Sequence, residues 1–223
     1  MVKFAAIKGF VFDLDGVITD TSTFHSQAWH QIADKVGVSW NDQLADALKG
    51  ISRMDSLNLI LAQGHRENDF TPAQKQALAT EKNTNYLQLV NQMTPANILP
   101  GITAFLTELT TAGYALSLAS ASKNAPLVLR KLGLSDYFTK AVDPASLKHG
   151  KPDPEIFRRG AEILGLNPAD CIGVEDAAAG VQSIKGAGET AIGIGDPTVL
   201  VAADINFTDT TQLTLANIKA QLN

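Results

Sequence analysis

The segment Phe12-Asp13-Leu14-Asp15-Gly16-Val17 constrains this chain more than any other. An apolar run, Phe10-Val11-Phe12, leads directly into two carboxylates one residue apart, and then a glycine. That order predicts a short buried strand whose end presents acids to solvent, because strands covered on both faces read as unbroken apolar runs. In open α/β sheets ligands bind beyond the carboxyl ends of the strands. Two acids this close repel, so their pKa values split or a cation holds them. An Asp-Gly pair after an apolar run also fits a hairpin turn. A calcium loop is excluded by spacing, since the third acid and the later glutamate it requires are missing.

Strand-like runs recur at 9–14, 114–119, 171–174 and 190–194. Helical stretches lie between them. Residues 127–132 follow Pro126 and stop at Gly133, and residues 154–164 open on Pro154 and stop at Gly165. Both use proline at the start and glycine at the end of a helix. Strand–helix alternation predicts a parallel sheet with helices on both faces. Between Asp20 and Thr94 the pattern changes to helix alone. Thr21 or Ser22 is placed to cap a helix with Phe24, Ala28, Ile32, Ala33 and Val36 on one face, ended by Gly37. Thr71-Pro72 opens a long helix through Tyr86, Leu87 and Val90. The expected domains are therefore a core of residues 1–18 and 96–223 and an all-helical insert, 19–95, whose two linkers must meet in space.

Composition narrows the function classes. With 45% hydrophobic residues and 18% charged, the 223 residues can bury a core. No run approaches the roughly 18 apolar residues that span a bilayer, and the start lacks the apolar region of a signal peptide. A net charge of −5 without a basic run argues against nucleic acid. Cys171 is the single cysteine, so no internal disulfide forms, and its apolar neighbours predict a core thiol rather than a nucleophile. These points predict a cytoplasmic protein, with a monomer as the default and neither membrane nor nucleic acid as partner.

Each predicted strand is followed by polar residues of a different kind. The first ends in Asp13 and Asp15, and the second in Ser120, followed by Ala121, Ser122, Lys123 and Asn124. Lys151 stands in a loop after Asp143-Pro144, and Glu175-Asp176 follow the third strand. Singly, these read as a turn serine, a solvated lysine and a helix cap. Together they supply a nucleophile, a hydroxyl, a cation and further acids. Such a set suits Mg²⁺, which takes few carboxylates together with water and phosphate oxygens, and it suits phosphoryl transfer.

In the order D-x-D-G (Asp13 to Gly16), Ser120, Lys151 and Glu175-Asp176, the chain resembles the haloacid dehalogenase superfamily of phosphotransferases. Within it, residues 12–21, His25, Trp29, the stretch 48–53 with Asp55 to Leu57, residues 118–124 and residues 172–176 resemble the β-phosphoglucomutase family. The resemblance implies an α/β fold, a Rossmann-like parallel-sheet core with an inserted four-helix cap domain. It implies interconversion of β-D-glucose 1-phosphate and glucose 6-phosphate through β-glucose 1,6-bisphosphate, which is both activator and intermediate.

On that resemblance Asp13 is the nucleophile and Asp15, taken as lying two positions further along the strand, the general acid and base. Mg²⁺ is expected on the Asp13 carboxylate, the Asp15 backbone carbonyl and Asp176, with Glu175 direct or through water. Ser120 and Lys151 would hold the transferring phosphoryl group. The distal phosphate needs a second positive clamp, and Arg53 is the candidate, since guanidinium grips phosphate bidentately. Ala121, Ser122, Lys123 and Asn124 would assist from the core, and Lys49, Gly50, Ser56, Trp29 and Lys82 from the insert. His25 is expected to couple sugar binding to movement of Asp15, with hinges at 19–21 and 93–95. The rival reading is a Mg²⁺-dependent sugar-phosphate phosphatase using the same acids with water as acceptor. A non-enzymatic sugar-phosphate sensor is a further rival, disfavoured by the intact acidic set.

Overall fold

The computed structural model describes residues 4–48 and 51–222. Its helices and strands run β1 (Gly9–Phe12), α1 (Ser22–Lys35), α2 (Asp42–Ala47), α3 (Arg53–Gln63), α4 (Pro72–Val90), α5 (Ile102–Thr111), β2 (Ala115–Leu118) and α6 (Ala125–Leu132). They continue with α7 (Glu155–Ile163), β3 (Cys171–Glu175), α8 (Ala178–Ala187), β4 (Thr190–Ile194), β5 (Ile205–Phe207) and α9 (Leu215–Leu222). Chain contacts divide the protein into two units, one of residues up to Asp20 and from Thr94 onward, the other Thr21–Met93.

The first unit is built on one parallel sheet in the order β2-β1-β3-β4-β5. Every residue of β1, β3 and β4 is buried, which explains their unbroken apolar sequences. The chain leaves β1 for β2 on one side and reaches β3 on the other. That reversal opens a crevice at the carboxyl end of β1. β5 was not anticipated. It is three residues long with Asn206 at its centre, too short and too polar at its middle to show a strand period. The strand predicted at 9–14 ends at Phe12, so Leu14 and Asp15 lie outside it.

The ends of the insert do meet. Thr19 bridges Ile98 in antiparallel fashion, the Leu99 amide donates to the Ile18 carbonyl at 2.9 Å, and the Thr19 hydroxyl donates to the Asn97 carbonyl at 2.7 Å. Among the described residues the second unit is helical, holding α1 to α4 around a core that includes Trp29, Ile32, Leu57, Ile60 and Leu61. Trp29 is buried where Phe24, expected on that face, is only half-buried. Thr71 and Gln74 form a reciprocal capping box at the start of α4. Thr21 precedes α1 but makes no capping bond from its side chain. Its hydroxyl instead receives the Tyr86 hydroxyl at 3.3 Å. Among the described residues no helix is long and apolar enough to cross a membrane.

Candidate active site

Backbone pairing continues one residue past the strand ends. The Asp13 amide donates to the Val174 carbonyl at 3.0 Å, and the Ala119 amide to the Phe12 carbonyl at 2.7 Å. Asp13 is thereby fixed between the ends of β2 and β3, and is buried. The chain then turns. The Gly16 amide donates to the Thr19 carbonyl at 2.8 Å, Asp15 bridges Thr19, and Gly16 takes a positive φ of 74°, which glycine adopts without strain. Asp15 therefore belongs to a turn. The strand alternation expected to align it with Asp13 does not apply. The charge of Asp15 is nonetheless felt at Asp13, where it raises the pKa.

Lys151 is the hub. Its ammonium donates to Asp13 Oδ1 at 2.6 Å and to Glu175 Oε2 at 2.7 Å, 5.0 Å from the centre of the Phe157 ring. Glu175 Oε1 in turn accepts from the amides of Asp176 at 3.3 Å and Ala177 at 3.2 Å, just before α8. Burial opposes the charge on Lys151, but Asp13 and then Glu175 outweigh it and hold its pKa above the usual lysine value. Burial, followed by repulsion from Glu175, pushes the pKa of Asp13 up to about 7 despite the lysine. Asp176 is pushed up to about 9, again by burial first and then by Glu175 and Asp13.

Oxygens of Asp13, Glu175 and Asp176 lie within 4.8 Å of one another. Three carboxylates share one ammonium, and burial prevents water from screening the surplus. A hard divalent cation fits this donor set, because it would stabilise the ionised forms that burial now disfavours.

Ser120 follows β2 and is buried. Its hydroxyl accepts from the Ser122 amide at 3.1 Å, and the Ser122 hydroxyl from the Asn124 amide at 3.3 Å. This pair of turns shapes the loop that leads into α6. Ala121 and Asn124 are half-buried on it, and Lys123 is exposed.

A second polar cluster lies inside the helical unit. Lys82, expected in the binding set from the insert, is buried. Its ammonium donates to His25 Nδ1 at 2.6 Å, and stands 5.0 Å and 4.8 Å from the ring centres of Trp29 and Tyr86. The His25 ring packs on Tyr86, at 4.1 Å between centroids. Burial, then the charges of Lys82 and Arg53, hold the pKa of His25 well below its ordinary value. An ammonium only donates, so Nδ1 is the accepting nitrogen. Arg53 is the first residue of α3 and donates to Asn83 Oδ1 at 2.7 Å. Ser56 is buried, with its hydroxyl on the Ser52 carbonyl at 3.0 Å. Lys49 and Gly50 lie outside the described residues. Asn83 and Tyr86 were not anticipated here. The available signal was the helical spacing that sets Tyr86 one turn from both Lys82 and Asn83 on α4.

The sequence model of haloacid dehalogenase-like hydrolases matches residues 7–188, and the chain belongs to this family. A β-phosphoglucomutase of Bacillus subtilis is 44% identical over 209 residues, covering 94% of this chain and 92% of that protein. A fructose-1-phosphate phosphatase of Escherichia coli is 31% identical over 187 residues, covering 83% and 95%. The crystal structure of a β-phosphoglucomutase from Clostridium difficile superposes with a TM-score of 0.95 at 42% identity, covering 97% of each chain.

Proposed function

We propose that this chain is a β-phosphoglucomutase, interconverting β-D-glucose 1-phosphate and glucose 6-phosphate. The observation that carries phosphoryl transfer is Lys151 bridging Asp13 and Glu175 at the mouth of the sheet. What favours mutase over phosphatase is the 44% identity to a mutase, against 31% to a sugar-phosphate phosphatase.

In the first half-reaction an Asp13 oxygen attacks the phosphorus of a bound sugar phosphate. An Asp13–phosphorus bond forms as the phosphorus–sugar oxygen bond breaks, and Asp15 gives its proton to the departing sugar oxygen. In the second, a sugar hydroxyl attacks the aspartyl phosphate and Asp15 takes its proton. The sugar phosphate attacked in the first is β-glucose 1,6-bisphosphate, and the second remakes it from a glucose monophosphate, so an added trace of the bisphosphate primes the enzyme. Lys151 and the Ser120 hydroxyl hold the phosphoryl oxygens in transfer.

Mg²⁺, held by the Asp13 and Asp176 carboxylates and the Asp15 carbonyl, with Glu175 direct or through water, would neutralise charge on the transferring group. It would also keep Asp13 ionised at neutral pH. Arg53, Lys82 and neutral His25 supply positive charge and an imidazole for the second phosphate and its sugar. Lys49, Gly50, Ser56 and Trp29, with Ala121, Ser122, Lys123 and Asn124 of the core, complete the proposed binding set.

The test mixes the protein with β-glucose 1-phosphate, Mg²⁺ and a trace of bisphosphate. Glucose 6-phosphate, read through its dehydrogenase, is the expected product. The α-anomer should give none, and chelating Mg²⁺ should stop the reaction. Release of inorganic phosphate without glucose 6-phosphate would replace the mutase by the phosphatase reading.

A further inference from the structure

Gly180 stands in the first turn of α8, in a run of small residues where helix propensity favours alanine. Its φ is not positive, so the backbone does not demand glycine. The demand comes from space. A Cβ placed there would lie 2.0 Å from Glu175 Cδ, 2.1 Å from Oε2 and 2.3 Å from Cγ. Other glycines of this unit make room for packing: a Cβ on Gly160 would strike Val11, and one on Gly173 would strike Ile184. At Gly180 the room is taken by the same carboxylate that bonds Lys151 and, through Lys151, touches Asp13.

We propose that Gly180 is a positioning residue of the phosphoryl-transfer site, keeping open the space in which the Glu175 carboxylate seats Lys151 against Asp13. The inference rests on the phosphotransferase reading above. The three atoms that a methyl group at this position would meet first, Cγ, Cδ and Oε2, all belong to the Glu175 side chain. To relieve that overlap, Oε2 must leave the place where it holds the ammonium. Misplacement of about 1 Å in such a group can cost on the order of 10²-fold in rate.

The experiment compares wild type and Gly180→Ala in two measurements: melting temperature of the full chain without metal, and steady-state kinetics with Mg²⁺ on β-glucose 1-phosphate. The expected result is a variant that still unfolds cooperatively but melts lower than wild type, because the buried Lys151–Glu175 pair is broken, and that loses roughly 10²-fold in kcat, with KM little changed, the pattern of an interaction made mainly in the transition state. Unchanged kcat overturns the proposal. So does a melting temperature lowered by as much in a Lys151→Met background, where no ammonium remains for Glu175 to hold, which would make Gly180 a packing glycine like Gly160. A wild type that transfers no phosphoryl group would sink the phosphotransferase reading itself, a different result from an active wild type matched by its variant.

Discussion

Two glutamates at opposite ends of neighbouring strands, Glu175 closing β3 and Glu189 just before β4, are almost equally buried, at 1% and 3% exposure, yet their surroundings differ completely. Glu175 ends β3 at the carboxyl edge of the sheet. One of its oxygens holds Lys151 and the other takes two backbone amides. Glu189 immediately precedes β4 at the opposite edge, and among the described residues neither of its oxygens has a hydrogen-bond partner. Burial alone drives the pKa of Glu189 well above the carboxylate range. It also raises its neighbour, the Cys171 thiol, to about 12, with the Glu189 charge as second cause. Burial of an acid is therefore no signature of a site. What marks the site is convergence: a cation, backbone donors and two further acids aimed at one point. At one edge of the sheet burial strengthens every charge interaction, and at the other it is a cost the fold carries.

The largest test of the convergent edge removes its nucleophile. Asp13→Asn keeps the shape of the side chain but forms no acyl phosphate, so phosphoryl transfer should fall below detection in the coupled assay. Near-normal turnover would place the nucleophile elsewhere. Asp15→Asn should lose about 10²- to 10⁴-fold in kcat, as expected for a lost proton donor, while inorganic phosphate still binds by calorimetry. A variant with wild-type rates would remove Asp15 from the proton path.

Lys151→Met turns the convergent edge into a copy of the other one. Asp13 and Glu175 would then be buried without their cation. Activity should fall by roughly 10²- to 10³-fold, the usual cost of one donor in such a site. Stability without metal at pH 8 should fall by about 3–5 kcal/mol, the penalty for breaking a buried pair. Denaturant titration at pH 8 and at pH 5 checks this. The deficit should shrink at the lower pH, where protonation relieves the carboxylates. A variant as stable as wild type at both values would show that the pair contributes nothing to the fold.

Legibility followed the same division. Asp13, Lys151, Glu175 and Asp176, the residues that the structure brings into contact or close approach, all stood out because each follows an apolar run or sits in a polar loop where a core residue would be wasteful. Their mutual effects were not legible. Nothing in the linear order says that Lys151 spans Asp13 and Glu175, or that Glu175 has both oxygens engaged. The four long strands were visible as apolar runs, since burial on both faces leaves little room for polar residues; the one inside β2, Ser117, is buried with its hydroxyl on the Gly160 carbonyl. β5 was hidden by its length, and the end of β1 by Leu14, an apolar residue buried in a turn. The burial of Lys82 was not legible because a lysine on a polar helix is usually exposed, and only tertiary packing on Trp29 and Tyr86 overrides that. Glu189 was invisible for the same reason. Between Gly188 and Thr190 it looks like a solvated residue in a helix-to-strand turn, yet it is buried.

Glu189 also gives the finest test of the contrast. Its folded pKa lies well above the ordinary 4.5, so the folded state binds its proton more tightly than the unfolded chain does. The sign follows from linkage. The favourable contribution is fully present below about pH 4.5 and is lost as pH rises toward the folded value, at up to about 1.4 kcal/mol per pH unit. Asp13 and Asp176 titrate in the same direction without metal, so the wild-type slope alone does not isolate Glu189. The difference between wild type and Glu189→Gln does. Glutamine preserves size and polarity but has no proton to lose. The two proteins should be nearly equal in denaturant stability at pH 4.5, and the variant should gain steadily on wild type between pH 5 and 8. Phosphoryl transfer should be unaffected, since Glu189 stands at the opposite edge of the sheet. Parallel stability curves would mean that the carboxyl has found a partner, and the contrast between the two edges of the sheet would fall with it.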